Sequence, residues 1–99
     1  MKVNITSLHF KTDKKLEGYI QEKIEKLSGL YEGLLSSEVT LKVEKNQNEE
    51  NKIAEIRLLM RGNDLFAKKQ SKSFEQATDT AVEALRKQLV KHKEKIKGL

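Results

Sequence analysis

Apolar residues change their spacing several times along this chain, and that change constrains the fold more than any other feature. In three segments, 3–5, 39–43 and 54–60, they fall at every second position, which is typical of strands with one buried face. A fourth, weaker strand is expected at 65–70. In two longer segments, 16–31 and 74–96, they recur every three or four positions, as on the buried side of a helix. The sequence therefore predicts the element order β-α-β-β-β-α.

Capping and turn residues place the ends of several elements. Thr12 or Asp13 can accept a hydrogen bond from the free backbone N–H groups that begin the first helix, and Ser73 can do so for the second. Glycines and serines predict a loop over 29–37. The segment RGND at 61–64 favours a tight turn, because glycine and asparagine tolerate positive φ. The chain contains no proline, so nothing interrupts the long last helix.

The connections between these elements predict the topology of the sheet. A strand–helix–strand crossover is right-handed and joins parallel strands, so we expect the first two strands to be parallel. The short later connections make the remaining pairs antiparallel. Because the strands alternate, one face of the sheet is buried, and both helices must cover it. We therefore expect an α+β fold: a single domain over 1–99, with a four-stranded mixed sheet and two helices on one face.

Positive charge is concentrated near the end of the last helix. The final turns contain six Lys or Arg and one acid, so their net charge equals the +5 of the whole chain. On a helical projection, Arg86, Lys93 and Lys97 lie along one flank of the apolar stripe, and Lys91 and Lys95 lie along the other. A helix dipole favours one or two lysines at this end, but six cations with one acid repel one another. The pattern therefore favours an anion-binding surface.

A second basic group, Lys68, Lys69 and Lys72, precedes the last helix. Such lysines either bind an anion or protect an edge strand from pairing with other chains, and the sequence leaves both interpretations open. The pI near 9.4 favours a polyanionic partner, with nucleic acid the first candidate.

Several function classes have little support in this sequence. The chain has no Cys, which excludes disulfides and thiolate chemistry and fits the cytoplasm. No apolar run approaches the roughly 20 residues that span a membrane. The two histidines, His9 and His92, are far apart, and no glycine-rich phosphate loop or metalloprotease motif is present. We therefore expect no enzyme activity, cofactor, metal or membrane contact.

Three segments resemble the bacterial ribosome hibernation factors, the family of hibernation promoting factor and ribosome-associated inhibitor that is also labelled sigma-54 modulation protein. They are VNIT at 3–6, LKVEK at 41–45 and RKQLVKHKEKIKG at 86–98. The resemblance covers essentially the whole chain, including the spacing between the segments. It implies a fold similar to double-stranded RNA-binding domains. It also implies binding to ribosomal RNA of the small subunit, in competition with mRNA and tRNA, which would silence translation on idle ribosomes.

The family's basic positions map onto this sequence residue by residue. One family lysine, early in the last helix, falls here on Ala84. The RNA-binding residues that the resemblance and the charge pattern together predict are Lys23, Lys26, Arg86, Lys87, Lys91, Lys93, Lys95 and Lys97, with Lys68, Lys69 and Lys72 as candidate additional contacts. Long family members add a C-terminal dimerisation domain, which we do not expect here, because residues 86–99 resemble the end of the short type. The chain thus resembles the short type, and we expect a monomer off the ribosome.

Two other functions remain open from the sequence. A general double-stranded RNA-binding module would bind free duplexes about as tightly as ribosomes. An adaptor whose basic helix docks an acidic protein would ignore RNA at moderate salt.

Overall fold

The structure is a computed structural model that describes residues 1–45 and 49–97, without the side chains of 96 and 97. Its elements follow the predicted order. They are β1 (Lys2–Ser7), α1 (Lys14–Ser28), β2 (Leu34–Val43), β3 (Lys52–Met60), β4 (Asn63–Ser71) and α2 (Phe74–Lys97). No helix in the described part of the chain is long and apolar enough to cross a membrane.

The four strands form one sheet in the order β1-β2-β3-β4. β1 and β2 are parallel, with Ile5 opposite Val39, and α1 forms the crossover between them. β3 is antiparallel to both of its neighbours, with Ile56 opposite Val39 on one side and Ala67 on the other. The predicted mixed sheet is therefore confirmed.

One hydrophobic core joins both helices to a single face of the sheet. Its largest fully buried aliphatic side chains are Ile20, Ile24, Leu27, Val39, Leu41, Ile56, Leu58, Leu85 and Leu89. Burying each such side chain contributes about 1.5–3 kcal/mol relative to leaving it exposed. Because Leu85 and Leu89 are 0% exposed, α2 is fixed against the sheet within the segment where its cations begin. The core thus sets which way those cations point.

Both helices begin at capping residues that the sequence predicts. The Asp13 carboxylate accepts a hydrogen bond from the backbone N–H of Leu16 at 2.7 Å, so Asp13 rather than Thr12 caps α1. The Ser73 hydroxyl accepts one from the N–H of Gln76 at 3.1 Å and caps α2. These bonds satisfy backbone donors that a helix leaves free at its start.

Two loop predictions are wrong in their boundaries. The predicted loop over 29–37 ends early, because β2 begins at Leu34 and includes Ser36 and Ser37. Serine has little intrinsic preference for strands, but β1 offers a parallel partner along this stretch, and pairing satisfies the backbone. The turn at 61–64 is confirmed only at its centre, where Gly62 has φ of +82°. Asn63 already belongs to β4.

Candidate nucleic-acid interface

The two helices run side by side in the same direction. Near their starts, the Tyr19 hydroxyl donates to both carboxylate oxygens of Asp79, at 2.7 and 2.8 Å. Beyond the end of α1, the Tyr31 ring meets the His92 ring edge-on, with centroids 5.3 Å apart. The C-terminal ends of both helices therefore lie at the same end of the molecule.

This arrangement creates a groove between the helices, the interhelical groove, which encloses about 380 Å³. Leu27, Leu30 and Val82 lie among its apolar lining, and its predicted RNA-binding residues are Lys23, Lys26 and Arg86. The fold thus brings the cations of α1 beside those of α2, although some 60 residues separate them in sequence.

Two of these cations already have acidic partners. The Lys23 ammonium lies 3.5 Å from the Asp79 carboxylate. Arg86 donates from two nitrogens to the Glu83 carboxylate, at 2.6 and 3.0 Å. That contact lowers the pKa of Glu83 below its usual value, and it raises the pKa of Arg86. Lys23 and Arg86 therefore lie beside their own counterions.

Tyr19 fixes the Asp79 carboxylate from the opposite helix. Its hydrogen bond to Asp79, aided by partial burial, raises the pKa of Tyr19 to about 12. A hydroxyl that donates to a carboxylate holds its proton more tightly, because losing it would place two negative charges in contact. Asp79 is thus held on the α1 side of its helix, between Tyr19 and Lys23.

Unlike Lys23 and Arg86, the cations at the end of α2 form no ion pair in the described part of the chain. Lys87, Lys91 and Lys95 are exposed, and Lys93 is half-buried. Lys97 is also predicted to bind RNA, but its side chain lies outside the described residues. α2 contains 24 residues and is therefore about 36 Å long, in a molecule whose longest extent is 48 Å. The uncompensated positive charge thus occupies one end of the molecule.

The cations of α2 divide between two sides of the helix. Arg86 lines the interhelical groove, and Lys93 lies beside the loop that follows α1, so this side is the α1 flank. On the other side, the Gln88 side-chain amide donates to the Phe66 carbonyl oxygen of β4 at 3.1 Å. By helical periodicity Lys91 and Lys95 lie on the side of Gln88, which is the β4 flank.

The basic group before α2 is divided by the sheet. Lys68 lies on the open face, where its ammonium is 3.8 Å from the Glu55 carboxylate. The next residue, Lys69, lies on the helix-covered side and lines a groove with Lys87. Lys72 is exposed in the connection between β4 and α2. Three lysines that are close in sequence therefore face different surroundings, because neighbouring strand residues point to opposite faces.

The open face of the sheet carries ion pairs instead of an excess of one sign. Lys42 pairs with Glu55 at 2.8 Å, so Lys42, Glu55 and Lys68 form a charge ladder across three strands. Arg57 and Asp64 approach to 3.9 Å. On β2–β4 the ionisable side chains of this face are Lys42, Arg57, Lys68, Glu38, Glu55 and Asp64. Cations and acids are equal in number on these three strands, and the exposed Lys2 of β1 adds one cation to the same face, so the charges of the open face nearly cancel.

The chemistry that the helix side offers is electrostatic. Ammonium and guanidinium groups held on a rigid helix bind phosphate oxygens through charge-assisted hydrogen bonds. His92 packs against Tyr31, and the described residues contain no group of three or more His, Asp or Glu that could hold a metal ion.

Comparison with known proteins matches residues 3–97 to the family described as sigma 54 modulation protein / S30EA ribosomal protein. A ribosome hibernation promoting factor from Pseudomonas putida is 30% identical over 99 residues, which are 100% of this chain and 93% of that protein. A protein of the same name from Klebsiella oxytoca is 28% identical over 97 residues, 98% of each chain.

Two solved structures share the fold. A ribosomal subunit interface protein from Coxiella burnetii matches with a TM-score of 0.82 at 17% identity, covering 94% of this chain and 98% of that one. The N-terminal domain of Protein Y from Thermus thermophilus matches with a TM-score of 0.78 at 20% identity, covering 90% of this chain and 96% of that one.

Proposed function

The chain belongs to the sigma 54 modulation protein / S30EA ribosomal protein family, and we propose that it is a ribosome hibernation factor that binds the small ribosomal subunit and silences translation. The observation that carries this proposal is the cluster of unpaired cations on the last turns of α2. Within the described residues, Lys87, Lys91, Lys93 and Lys95 form no ion pair, although Lys87 helps to lower the pKa of Glu83, whose carboxylate is bound to Arg86. Such a surface is complementary to a polyanion.

The proposed binding site is ribosomal RNA in the channel that otherwise holds mRNA and tRNA. Folded RNA brings phosphates from several strands to the walls of a cleft. A rigid helix with cations on two flanks can contact two walls at once. Phosphate contacts need charge and position but no reading of bases, which suits a surface made of lysines. The proposed contacts are Lys23, Lys26, Arg86, Lys87, Lys91, Lys93, Lys95 and Lys97.

The protein would act by occupancy alone, without a catalytic step or a cofactor, in the cytoplasm where ribosomes work. While it fills the channel, mRNA and tRNA are excluded and the ribosome is idle. An inhibitor of this kind is reversible, because its affinity rests on phosphate contacts that salt and competing RNA weaken.

The test is competition on purified small ribosomal subunits. Labelled initiator tRNA is bound in the presence of mRNA, and its retention on filters is measured as the protein is added. We expect retention to fall to background as the protein saturates the subunit, and we expect translation of a reporter mRNA to fall in parallel. Full occupancy by tRNA and by the protein together would place the protein elsewhere on the subunit.

A free RNA duplex separates this function from general duplex binding. The duplex is added as a competitor to labelled protein bound to small subunits. A hibernation factor should stay on the subunit until the duplex is in large excess. Displacement at equal concentrations of duplex and subunit would instead favour a general double-stranded RNA-binding module.

A further inference from the structure

We propose that the groove between α2 and β4, the α2–β4 groove, is a second contact for the RNA backbone, in which Lys69 and Lys87 bind phosphate. The inference rests on the proposed function and extends the RNA-binding surface from the helices onto the sheet. The groove encloses about 570 Å³. Its lining residues are Lys69, Asp79, Thr80, Glu83, Ala84 and Lys87.

The path of the chain explains why this groove is open. β4 ends at Ser71 and α2 begins at Phe74, so the helix turns back along the strand that precedes it. Farther along, the hydrogen bond from Gln88 to the Phe66 carbonyl holds the two elements together. Between these two points Ala84 extends only a methyl group into the space. A longer side chain at 84 would take up part of this space.

The acids in the lining are engaged on the α1 side. Asp79 accepts one bifurcated hydrogen bond from Tyr19 and pairs with Lys23, and Glu83 accepts two hydrogen bonds from Arg86. In contrast, neither lysine of the α2–β4 groove has an ion pair within the described residues. Glu83 also feels the charge of Lys87, but the two lining carboxylates are already matched by Lys23 and Arg86. Lys69 and Lys87 therefore give the groove an excess of positive charge, which is complementary to a phosphodiester.

Lys69 is also better placed for this role than its neighbours. It is half-buried beside α2, so less conformational entropy is lost when its ammonium binds an anion. Lys68 is on the opposite face of the sheet and lies near Glu55. The adjacent lysines thus form a matched pair: each substitution removes the same charge from the same strand, but only one removes it from the groove.

The test compares Lys69→Gln with Lys68→Gln for binding to purified small ribosomal subunits across a series of salt concentrations. If Lys69 contacts one phosphate, Lys69→Gln should lower the slope of log K against log salt by about 0.7–0.9, which weakens binding roughly five- to eightfold at 0.1 M salt. Lys68→Gln should change affinity by less than about twofold, because it removes no phosphate contact. Lys69→Arg, which keeps the charge, should bind almost as tightly as the wild type.

The possible outcomes distinguish a failure of the groove inference from a failure of the proposed function. If Lys69→Gln has no more effect than Lys68→Gln, while Lys91→Gln with Lys95→Gln weakens binding, the groove inference is wrong and the proposed function stands. If Lys69→Arg weakens binding as much as Lys69→Gln, shape rather than charge matters and the inference also fails. If the wild type shows no salt-dependent binding to small subunits, the proposed function itself is wrong.

Discussion

Replacing Lys91 and Lys95 by glutamine should remove two phosphate contacts from the β4 flank without unfolding α2. Both lysines are exposed, four residues and thus about 6 Å apart along the helix. Glutamine has nearly the helix propensity of lysine. Removing like charges at this spacing relieves about 0.2–0.5 kcal/mol of repulsion. The melting temperature should therefore hold or rise by about 1–4 °C.

The expected loss of affinity follows from the number of contacts. Each phosphate that a cation neutralises contributes about 0.7–0.9 to the magnitude of the salt slope, so two contacts contribute about 1.4–1.8. At 0.1 M salt the double variant should bind small subunits about 25- to 60-fold more weakly than the wild type, and near 1 M salt the two proteins should converge. Affinities measured by sedimentation or filter binding at four or five salt concentrations give both the salt slope and the loss of affinity at 0.1 M salt.

A matched control separates position from net charge. Lys14→Gln with Lys15→Gln also removes two exposed lysines, but from the start of α1, at the opposite end of the molecule from the end of α2. It should keep most of the affinity and the salt slope. Equal losses in the two double variants would refute the reasoning, because only net charge would then matter. A third variant, Lys93→Gln with Lys97→Gln, tests the α1 flank; if it binds like the wild type, α2 contacts a single RNA wall.

Three further predictions concern the free protein. Asp79→Asn should lower the pKa of Tyr19 from about 12 towards the ordinary value near 10. The pKa is measured from tyrosinate absorbance in a Tyr31→Phe background, where Tyr19 is the remaining tyrosine. An unchanged pKa would mean that the contact between Tyr19 and Asp79 is absent in solution. The folded state raises the pKa of Tyr19, so the stability that its hydrogen bond contributes is complete below about pH 10 and is lost as the pH rises through about 12. The urea midpoints of the wild type and of Tyr19→Phe should therefore converge between these two pH values. Light scattering at micromolar concentration should report a monomer of 11.4 kDa, and a mass near twice that value would contradict this prediction.

Periodicity predicted the fold well because each element buries only one side. Alternation located the strands, and the spacing of Ile20, Ile24 and Leu27 located the inner side of α1. The extent of β2 was missed because Ser36 and Ser37 become strand through pairing with β1, a long-range contact that leaves no local pattern. Ile53 on the open face is 4% exposed, although its face is otherwise solvated. Its neighbours across the strands are Lys42 and Gln70, whose aliphatic side-chain carbons can cover it. The alternation of apolar and polar residues does not predict this burial.

The basic surface was predicted from the charge pattern, but the acidic side chains that neutralise part of it were not. Helical projection is confirmed for Arg86 and Lys93, which lie on the α1 flank, and for Gln88, which lies on the β4 flank, since side-chain direction on a helix follows from spacing. The contact from Tyr19 to Asp79 joins residues 60 positions apart and has no signal in the sequence. Alternation along the strand expected at 65–70 already implies that Lys68 and Lys69 face opposite sides of the sheet, and β4 shows them so, although their charges were grouped together in the sequence.

The charges of the open face bear on how the molecule would approach a polyanion. There Lys42, Glu55 and Lys68 are ion-paired, whereas the cations at the end of α2 form no ion pair in the described part of the chain. If the protein binds RNA as proposed, the negative field of the RNA would exert a torque on the protein before the two touch. The helix side would then turn forward, and most encounters would begin with α2 facing the RNA.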